Sequence, residues 1–277
     1  MAKGIGLIGN FRGKVGNMVG YNLKDSNNKQ TQGVRVYQPI VKNPKTAAQA
    51  EQRAKLLAVN ATYRALKMVI DRGNEGLPYG NKSRLAWLKS AIKSEKMPWI
   101  EKGMPVTAPV GCQLTKGSLN ALAVNFADEE MVVDIQGIVS GADISTVGKL
   151  STALIAASTA FHADDQLTFV QVGLMNGSLV TDVRSIVLNT TSTETVSFLT
   201  AEENQLHVSN DIGAMAGTII LSREGANGEH LRSTQTLVID PNIFVAAPYD
   251  EASKADAIAS YRASDAASSD WAEESIQ

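Results

Sequence analysis

Residues 218–239 read TIILSREGANGEHLRSTQTLVI, and this stretch decides the fold class. Two runs rich in β-branched and leucine side chains, 218–223 and 231–239, flank a polar segment that contains Asn227-Gly228. Asn-Gly is a strong hairpin signal, because both residues tolerate the positive φ angles of tight turns between strands. The pattern therefore predicts an antiparallel pair of strands across residues 224–230.

The preceding residues predict more strands of the same kind. Short apolar runs indicate strands at 131–139, 167–174, 183–188 and 195–199, and an alanine-rich segment indicates one helix at 147–161. Several short strands with polar turns and one inserted helix are typical of an antiparallel sandwich or barrel-like domain, not of a doubly wound sheet.

The chain opens with a glycine-rich segment in which seven of the ten odd positions from 5 to 23 are apolar. Such alternation is typical of a half-buried strand. Because the segment exceeds an ordinary strand, a bend or hairpin turn is expected around Arg12-Gly13-Lys14. A second β-like run covers 34–37. We predict a β-arm that contacts other subunits through the apolar side chains of Ile5, Leu7, Phe11, Val15, Val19 and Tyr21.

Two helices are predicted between the arm and the β-rich part. The first begins with a capping box, Thr46-Ala47-Ala48-Gln49, and should end near Arg72-Gly73. Its buried face is predicted to consist of Ala50, Ala54, Leu57, Ala61, Ala65 and Met68. The second covers 83–92, with a buried stripe of Leu85, Leu88 and Ile92.

The predicted class is α+β, with four segments. These are a glycine-rich β-arm at 1–45, a two-helix basic region at 46–105, an acidic antiparallel β-sandwich or barrel-like domain with one inserted helix at 106–245, and an acidic Ala/Ser-rich tail at 246–277. The tail is either a solvated helix or disordered.

Charge is segregated along the chain. Residues 1–105 hold 19 Lys and Arg against 6 Asp and Glu, whereas residues 106–277 hold 7 against 22. Such a split predicts a basic surface that meets an anionic partner or the acidic face of a neighbouring copy; two solvated surfaces of uneven composition are the alternative. The candidate basic contacts with nucleic acid or other subunits are Arg12, Lys14, Lys24, Lys42, Lys45, Arg53, Lys55, Arg64, Lys82, Arg84 and Lys89.

The residue types that carry chemistry form no recognisable motif. Cys112 is the single cysteine, and the three histidines, His162, His207 and His230, lack a Cys, His or carboxylate at metal-ligand spacing. Residues 4–9 fit G-x-G-x-x-G but lack the preceding strand of a dinucleotide site. The adjacent acids, such as Asp164-Asp165, are expected to be turn, cap or solvated residues. We predict no enzyme, no cofactor and no metal.

The glycine-rich opening also carries a family resemblance. Residues 9–20, GNFRGKVGNMVG, and residues 41–53, VKNPKTAAQAEQR, resemble an uncharacterised family of proteins from Bacteroidetes and their phages. That family opens with G-x-F-x-G-K-V-G-x-x-x-G and begins a helix with N-P-x-T-x-x-Q-x-x-R; similar helices occur in phage structural proteins. The resemblance covers about the first quarter of the chain and implies no catalytic residues.

These observations favour a non-catalytic phage virion protein, such as a capsid component, that is made in the host cytoplasm and self-assembles. Its expected partners are other copies of itself, other virion proteins and packaged nucleic acid bound without sequence specificity; no membrane partner is expected. A monomeric nucleic-acid-binding accessory protein is the first alternative. A bacterial surface or adhesion protein is the second, and the N-terminus, a poor secretory signal, argues against it.

Overall fold

The computed structural model of the chain describes residues 13–24, 30–37, 46–94, 97–104, 108–109, 111–240 and 249–266. The chain divides into two compact units, Met1–Pro44 and Lys45–Gln277. Helices and antiparallel sheets occur together, so the predicted α+β class is confirmed.

The first unit contains a three-stranded antiparallel sheet of β1 (Gly13–Val15), β2 (Met18–Lys24) and β3 (Gln30–Val36), with β2 in the middle. The β1–β2 turn lies at Gly16-Asn17, not at the predicted Arg12-Gly13-Lys14. Gly16 has a φ of 56°, and a glycine at the first central position is what a two-residue hairpin turn of type II′ requires. Lys14 instead pairs with Val19 inside the ladder.

The second unit contains five helices and eleven strands within the described residues. In chain order they are α1 (Ala47–Ala65), α2 (Lys67–Ile70), α3 (Asn81–Ala91), β4 (Gln113–Thr115), β5 (Ala123–Ala127), β6 (Glu130–Asp134), α4 (Val147–Ala157), β7 (Gln166–Met175), β8 (Ser178–Val187), β9 (Leu199–Glu202), β10 (Gln205–Val208), β11 (Ala214–Glu224), β12 (His230–Arg232), β13 (Gln235–Thr236), β14 (Val238–Ile239) and α5 (Glu251–Ala266).

Helix α1 begins as predicted, since the Thr46 hydroxyl accepts a hydrogen bond from the Gln49 backbone N–H. Its buried residues include Ala50, Ala54, Ala58 and Thr62, which recur every fourth position. The predicted extension of this face to Met68 is wrong, because the helix ends at Ala65 and the short α2 turns a different side inward. Met68 is 80% exposed.

The predicted buried stripe of α3 is also wrong in detail. Ser83, Trp87 and Ala91 form the buried side, whereas Leu85 is 47% exposed and Leu88 and Ile92 are half-buried. The large Trp87 ring and a hydrogen bond from the Ser83 hydroxyl to the Ile70 carbonyl set the rotation of the helix. The spacing of the leucines alone had predicted that the adjacent face of the helix is the buried one.

The β-rich part is a sandwich of two antiparallel sheets. The central sheet has the order β12-β11-β7-β8, with β14 also paired to β11, and the second sheet has the order β5-β6-β10-β9. Alternate residues of a strand point to opposite faces. Phe169 and Ile219 of the central sheet accordingly pack against the second sheet and α4, whereas Val170 and Ala216 pack against α1, α3 and α5. The central sheet is therefore covered on both faces.

The ends of several elements differ from the sequence prediction. The strand predicted at 131–139 ends at Asp134, where residues 136–137 turn, and Gly137 has a φ of 94°. The predicted strand 195–199 is instead β9, which begins at Leu199. Helix α4 ends at Ala157 rather than at Phe161, which packs into the core. The predicted antiparallel pair across residues 224–230 is confirmed for β11 and β12. The predicted second strand, 231–239, is instead divided into β12, β13 and β14, and β13 pairs with β4 rather than with β11.

The predicted boundary near Pro105 does not separate compact units. One hydrophobic core contains Trp87 from α3, Cys112 from the segment before β4 and Val172 from β7. The tail predicted at 246–277 belongs to the same unit in its described part. Its helix α5 packs on α1, with Ala257 buried and Tyr261 against the same core.

Glu75 joins the helical layer to the strands. Its carboxylate accepts hydrogen bonds from the backbone N–H of Ser118 at 2.9 Å, the Ser118 hydroxyl at 3.0 Å and the backbone N–H of Arg232 at 3.1 Å. Burial alone raises the pKa of the Glu75 carboxyl, but these hydrogen bonds to the charged form outweigh it and leave the pKa below its usual 4.5.

We expect Glu75→Gln to lower the free energy of unfolding at neutral pH by about 1–2 kcal/mol, because an amide cannot replace the charged acceptor. A carboxyl whose pKa is lowered by folding stabilises the protein above its unfolded pKa and loses this effect as the pH falls through the folded pKa. Urea unfolding from about pH 7 to about pH 3 should therefore show a smaller loss of stability in the variant than in the wild type.

The exposed Glu101 provides the control, since Glu101→Gln removes a carboxylate at a solvent-facing position. Equal pH dependence of Glu75→Gln and the wild type would contradict the role given to the Glu75 carboxylate.

Candidate assembly interface

The two faces of the N-terminal sheet differ in character. Val15, Met18 and Val36 are direct cross-strand neighbours, and Val34 lies two residues before Val36, so all four side chains share one face. Their exposed fractions are 54%, 40%, 69% and 53% in that order. These four residues are called the apolar face.

The opposite face is closed by its own side chains. The Tyr21 ring lies over Gly33, where a Cβ atom would come within 2.7 Å of the ring. The Lys14 ammonium lies 3.6 Å from the centre of the Tyr37 ring, a cation–π contact. Glycine at position 33 thus lets the tyrosine pack flat on the sheet. Among the described residues, no side chain covers the apolar face in a comparable way.

The N-terminal sheet has almost no interior. Gly20 is its one fully buried residue among those whose exposure the structure describes. A small sheet is stable on its own when it has three or more strands with a hydrophobic face or packs against a helix, and a face that stays in water contributes little burial. β3 is moreover an edge strand of seven residues, and an unpaired edge is a template for pairing with another chain.

The structure places three of the six predicted arm residues. Val15 belongs to the apolar face, whereas Val19 and Tyr21 are half-buried on the opposite face. The prediction that alternate odd positions share one face fails at the β1–β2 turn, which reverses the chain. Ile5, Leu7 and Phe11 lie outside the described residues.

The predicted basic contact residues are dispersed over both units. Lys55 pairs with Glu51 at 2.8 Å, Arg84 lies over the Tyr63 ring at 4.6 Å, and Lys14 lies over Tyr37. Arg53 is half-buried with a polar or electrostatic partner. Arg64, Lys82 and Lys89 are exposed. The side chains of Arg12, Lys24, Lys42 and Lys45 lie outside the described part of the chain.

His207 has carboxylate neighbours that its sequence position does not reveal. Its Nδ1 lies 3.3 Å from a Glu130 oxygen, and its Nε2 lies 3.4 Å from a Glu202 oxygen. Strands β6 and β9 flank β10 and bring these side chains to one face, although Glu130 is 77 residues away in sequence. Among the described residues, no group of three His, Cys, Asp or Glu side chains has the arrangement of a metal site.

Two other groups that carry chemistry in many proteins have packing roles here. Asp165, predicted as a turn, cap or solvated residue, is fully buried and accepts hydrogen bonds from the Arg223 guanidinium at 2.6 and 2.7 Å. Cys112 is also buried. Burial raises the pKa of its thiol to about 12. Hydrogen bonds with Trp87 and Ser94 lower this pKa by a smaller amount. A thiol with so high a pKa is a weak nucleophile.

An open groove of about 680 Å³ runs beside the start of α4 and the loop 190–193. The first N–H groups of the helix already have partners: Val147 donates to the Glu194 carbonyl, Gly148 to the Ser192 carbonyl and Lys149 to the Thr146 hydroxyl. Lys149 also pairs with Asp143, which holds the pKa of that carboxyl at about 2. The donors that would bind an anion at a helix start are therefore occupied.

No protein-family model, curated protein or solved structure matches the chain. Among the described helices, none is both long and apolar enough to cross a bilayer.

Proposed function

We propose that this protein is a non-catalytic structural component of a phage particle, which self-associates through its N-terminal sheet. The apolar face of Val15, Met18, Val34 and Val36 carries this proposal. Burying the four side chains against a partner would recover roughly 25 cal/mol for each Å² of apolar surface removed from water. Their exposure in the single chain is a cost that association removes.

Further support comes from the kinds of contact that the candidate residues make. Asp165 and Cys112 lie in the core, and Glu75 links two layers of the fold, so these groups stabilise rather than react. The resemblance of residues 9–20 and 41–53 to a family with phage members points in the same direction. In this proposal the chain is made in the host cytoplasm, joins other copies and other virion proteins, and ends in the particle.

The double variant Val34→Thr/Val36→Thr tests the proposal. Threonine keeps the β-branched shape that suits strands but adds a hydroxyl to a face that must be desolvated. We expect smaller assemblies than those of the wild type, measured by light scattering after size-exclusion chromatography and by electron microscopy of negatively stained samples.

The matched control is Val139→Thr/Val187→Thr, which changes two valines of the second unit that are 70% and 52% exposed. It should assemble like the wild type. A Val34→Thr/Val36→Thr protein that forms the same oligomers as this control would refute assembly through the apolar face. A chain that stays monomeric alone but binds oligonucleotides tightly at low salt would favour the accessory-protein alternative.

A further inference from the structure

Helix α3 presents a basic stripe on its outward side. Lys82, Leu85 and Lys89 lie opposite the buried Ser83, Trp87 and Ala91, Lys93 follows in the turn after the helix, and all four are exposed. Residues 76–94 contain no Asp or Glu. Within the described part of the chain, the three lysines of this stripe form no ion pair, in contrast to Lys55, which pairs with Glu51. Among the described residues, the α3 stripe is thus a positive surface without an acidic partner, with one leucine between Lys82 and Lys89.

The outer face of the second sheet has the opposite charge. Glu130 and Asp134 on β6 and Glu202 on β9 point away from the sandwich core, on the same side as His207. Glu130 and Glu202 are 45% and 63% exposed. The exposed acids Asp128, Glu129 and Glu203 follow in the adjoining turns. Residues 117–148 and 199–210 contain no Lys or Arg. Within the described part of the chain, Glu130 and Glu202 form ion pairs with His207 alone.

The two charged surfaces lie on opposite sides of the central sheet. Trp87 and Ala91 of α3 belong to the core that covers one face of this sheet, together with Val170 and Ala216. Met131 and Leu206 of the second sheet belong to the core on the other face, together with Phe169 and Ile219. A single copy cannot bring its own stripe to its own acidic face, but two copies can.

We propose that the α3 stripe of one copy docks on the acidic face of the second sheet of another copy, head to tail. This inference rests on the proposed self-association and adds a second contact to it. The interface is heterologous, because each copy contributes a different surface, so repetition produces a ring or a filament. Complementary charges steer such contacts and fix their register.

A second copy fits the stripe better than a nucleic acid does. The centre of the stripe is the aliphatic Leu85, 47% exposed, and no aromatic ring lies among its four residues on which a base would stack. The acidic face offers three carboxylates, of which Asp134 is held by hydrogen bonds from Asn125 and Gln205.

Charge reversal tests the contact from both sides. Lys82→Glu/Lys89→Glu/Lys93→Glu makes the stripe acidic, and Glu130→Lys/Glu202→Lys makes the sheet face basic. Each variant alone should associate at least about tenfold more weakly than the wild type at low ionic strength, because like charges then meet. An equimolar mixture of the two should associate again, since each reversed surface finds a complementary one on the other protein. Sedimentation velocity of the full chains measures both.

Background and salt separate this contact from the apolar face of the N-terminal sheet. The experiment is repeated in the Val34→Thr/Val36→Thr background, where the electrostatic contact should remain and should weaken between roughly 0.05 and 0.5 M salt. The contact through the apolar face would be refuted if Val34→Thr/Val36→Thr assembled like the wild type. If charge reversal still weakened association in that background, the α3 contact would be supported independently.

The charge-matched controls are Lys102→Glu/Lys116→Glu/Arg262→Glu and Glu251→Lys/Asp256→Lys, at exposed positions outside both surfaces. They should associate like the wild type. The proposal is overturned if reversal of the stripe leaves association unchanged, if the mixture does not restore it, or if the stripe variant loses only binding to a fluorescent oligonucleotide.

Discussion

Replacing Arg223 by leucine is expected to lower the free energy of unfolding by about 3–5 kcal/mol, because it leaves a buried carboxylate without its counter-charge. Asp165 is 0% exposed, and the Arg223 guanidinium also donates to the Ala160 carbonyl at 2.8 Å. The remaining donor to the carboxylate is the backbone N–H of His162 at 2.8 Å. Urea unfolding followed by the fluorescence of the buried Trp87 and Trp99 measures the change.

Two further variants separate loss of charge balance from loss of packing. Asp165→Leu/Arg223→Leu should be more stable than Arg223→Leu alone, since no charge is left unpaired. Arg262→Leu, at an exposed position on α5, should change stability by less than about 0.5 kcal/mol. An Arg223→Leu protein within about 1 kcal/mol of the wild type would show that Asp165 is not held by this pair.

Phe169→Ala is expected to lower the free energy of unfolding by about 3–5 kcal/mol, because it removes the aromatic ring from the layer between the two sheets. Phe169 is 1% exposed and meets Phe198 edge to face, with ring centres 5.5 Å apart and planes at 81°. It lies beside Ile219 of β11 in the ladder. The alanine leaves a cavity that the sheets cannot close without sliding past each other.

Leu174 on the same strand provides the comparison. It is 40% exposed, so Leu174→Ala should cost less than about 1 kcal/mol in the same unfolding experiment. If the two variants were equally stable, the sandwich core would not be the main source of stability of the second unit.

The elements that were predicted correctly from the sequence are those specified by residues close together in the chain. The Thr46 cap and the hairpin around Asn227-Gly228 depend on neighbouring residues, and each has a counterpart in the structure. The predicted alternation of the arm fails at the β1–β2 turn, where the chain reverses. The buried face of α3 was predicted wrongly. Leu85 and Trp87 are both apolar, and the shape of the core decides which of the two side chains is buried. The predicted burial of Met68 was wrong for a similar reason. A one-residue break between α1 and α2 turns its side chain outward.

The sequence by itself determined the α+β class, the β11–β12 hairpin and the separation of positive from negative residues along the chain. These follow from turn chemistry, periodicity and composition, which are properties of short segments. Only the tertiary structure decided that the helices and strands share one core, that His207 lies between Glu130 and Glu202, and that the charged surfaces occupy opposite sides of the central sheet. The reason is physical: strand pairing and layer packing join residues far apart in sequence, and no local signal records which side of a sheet a later segment covers.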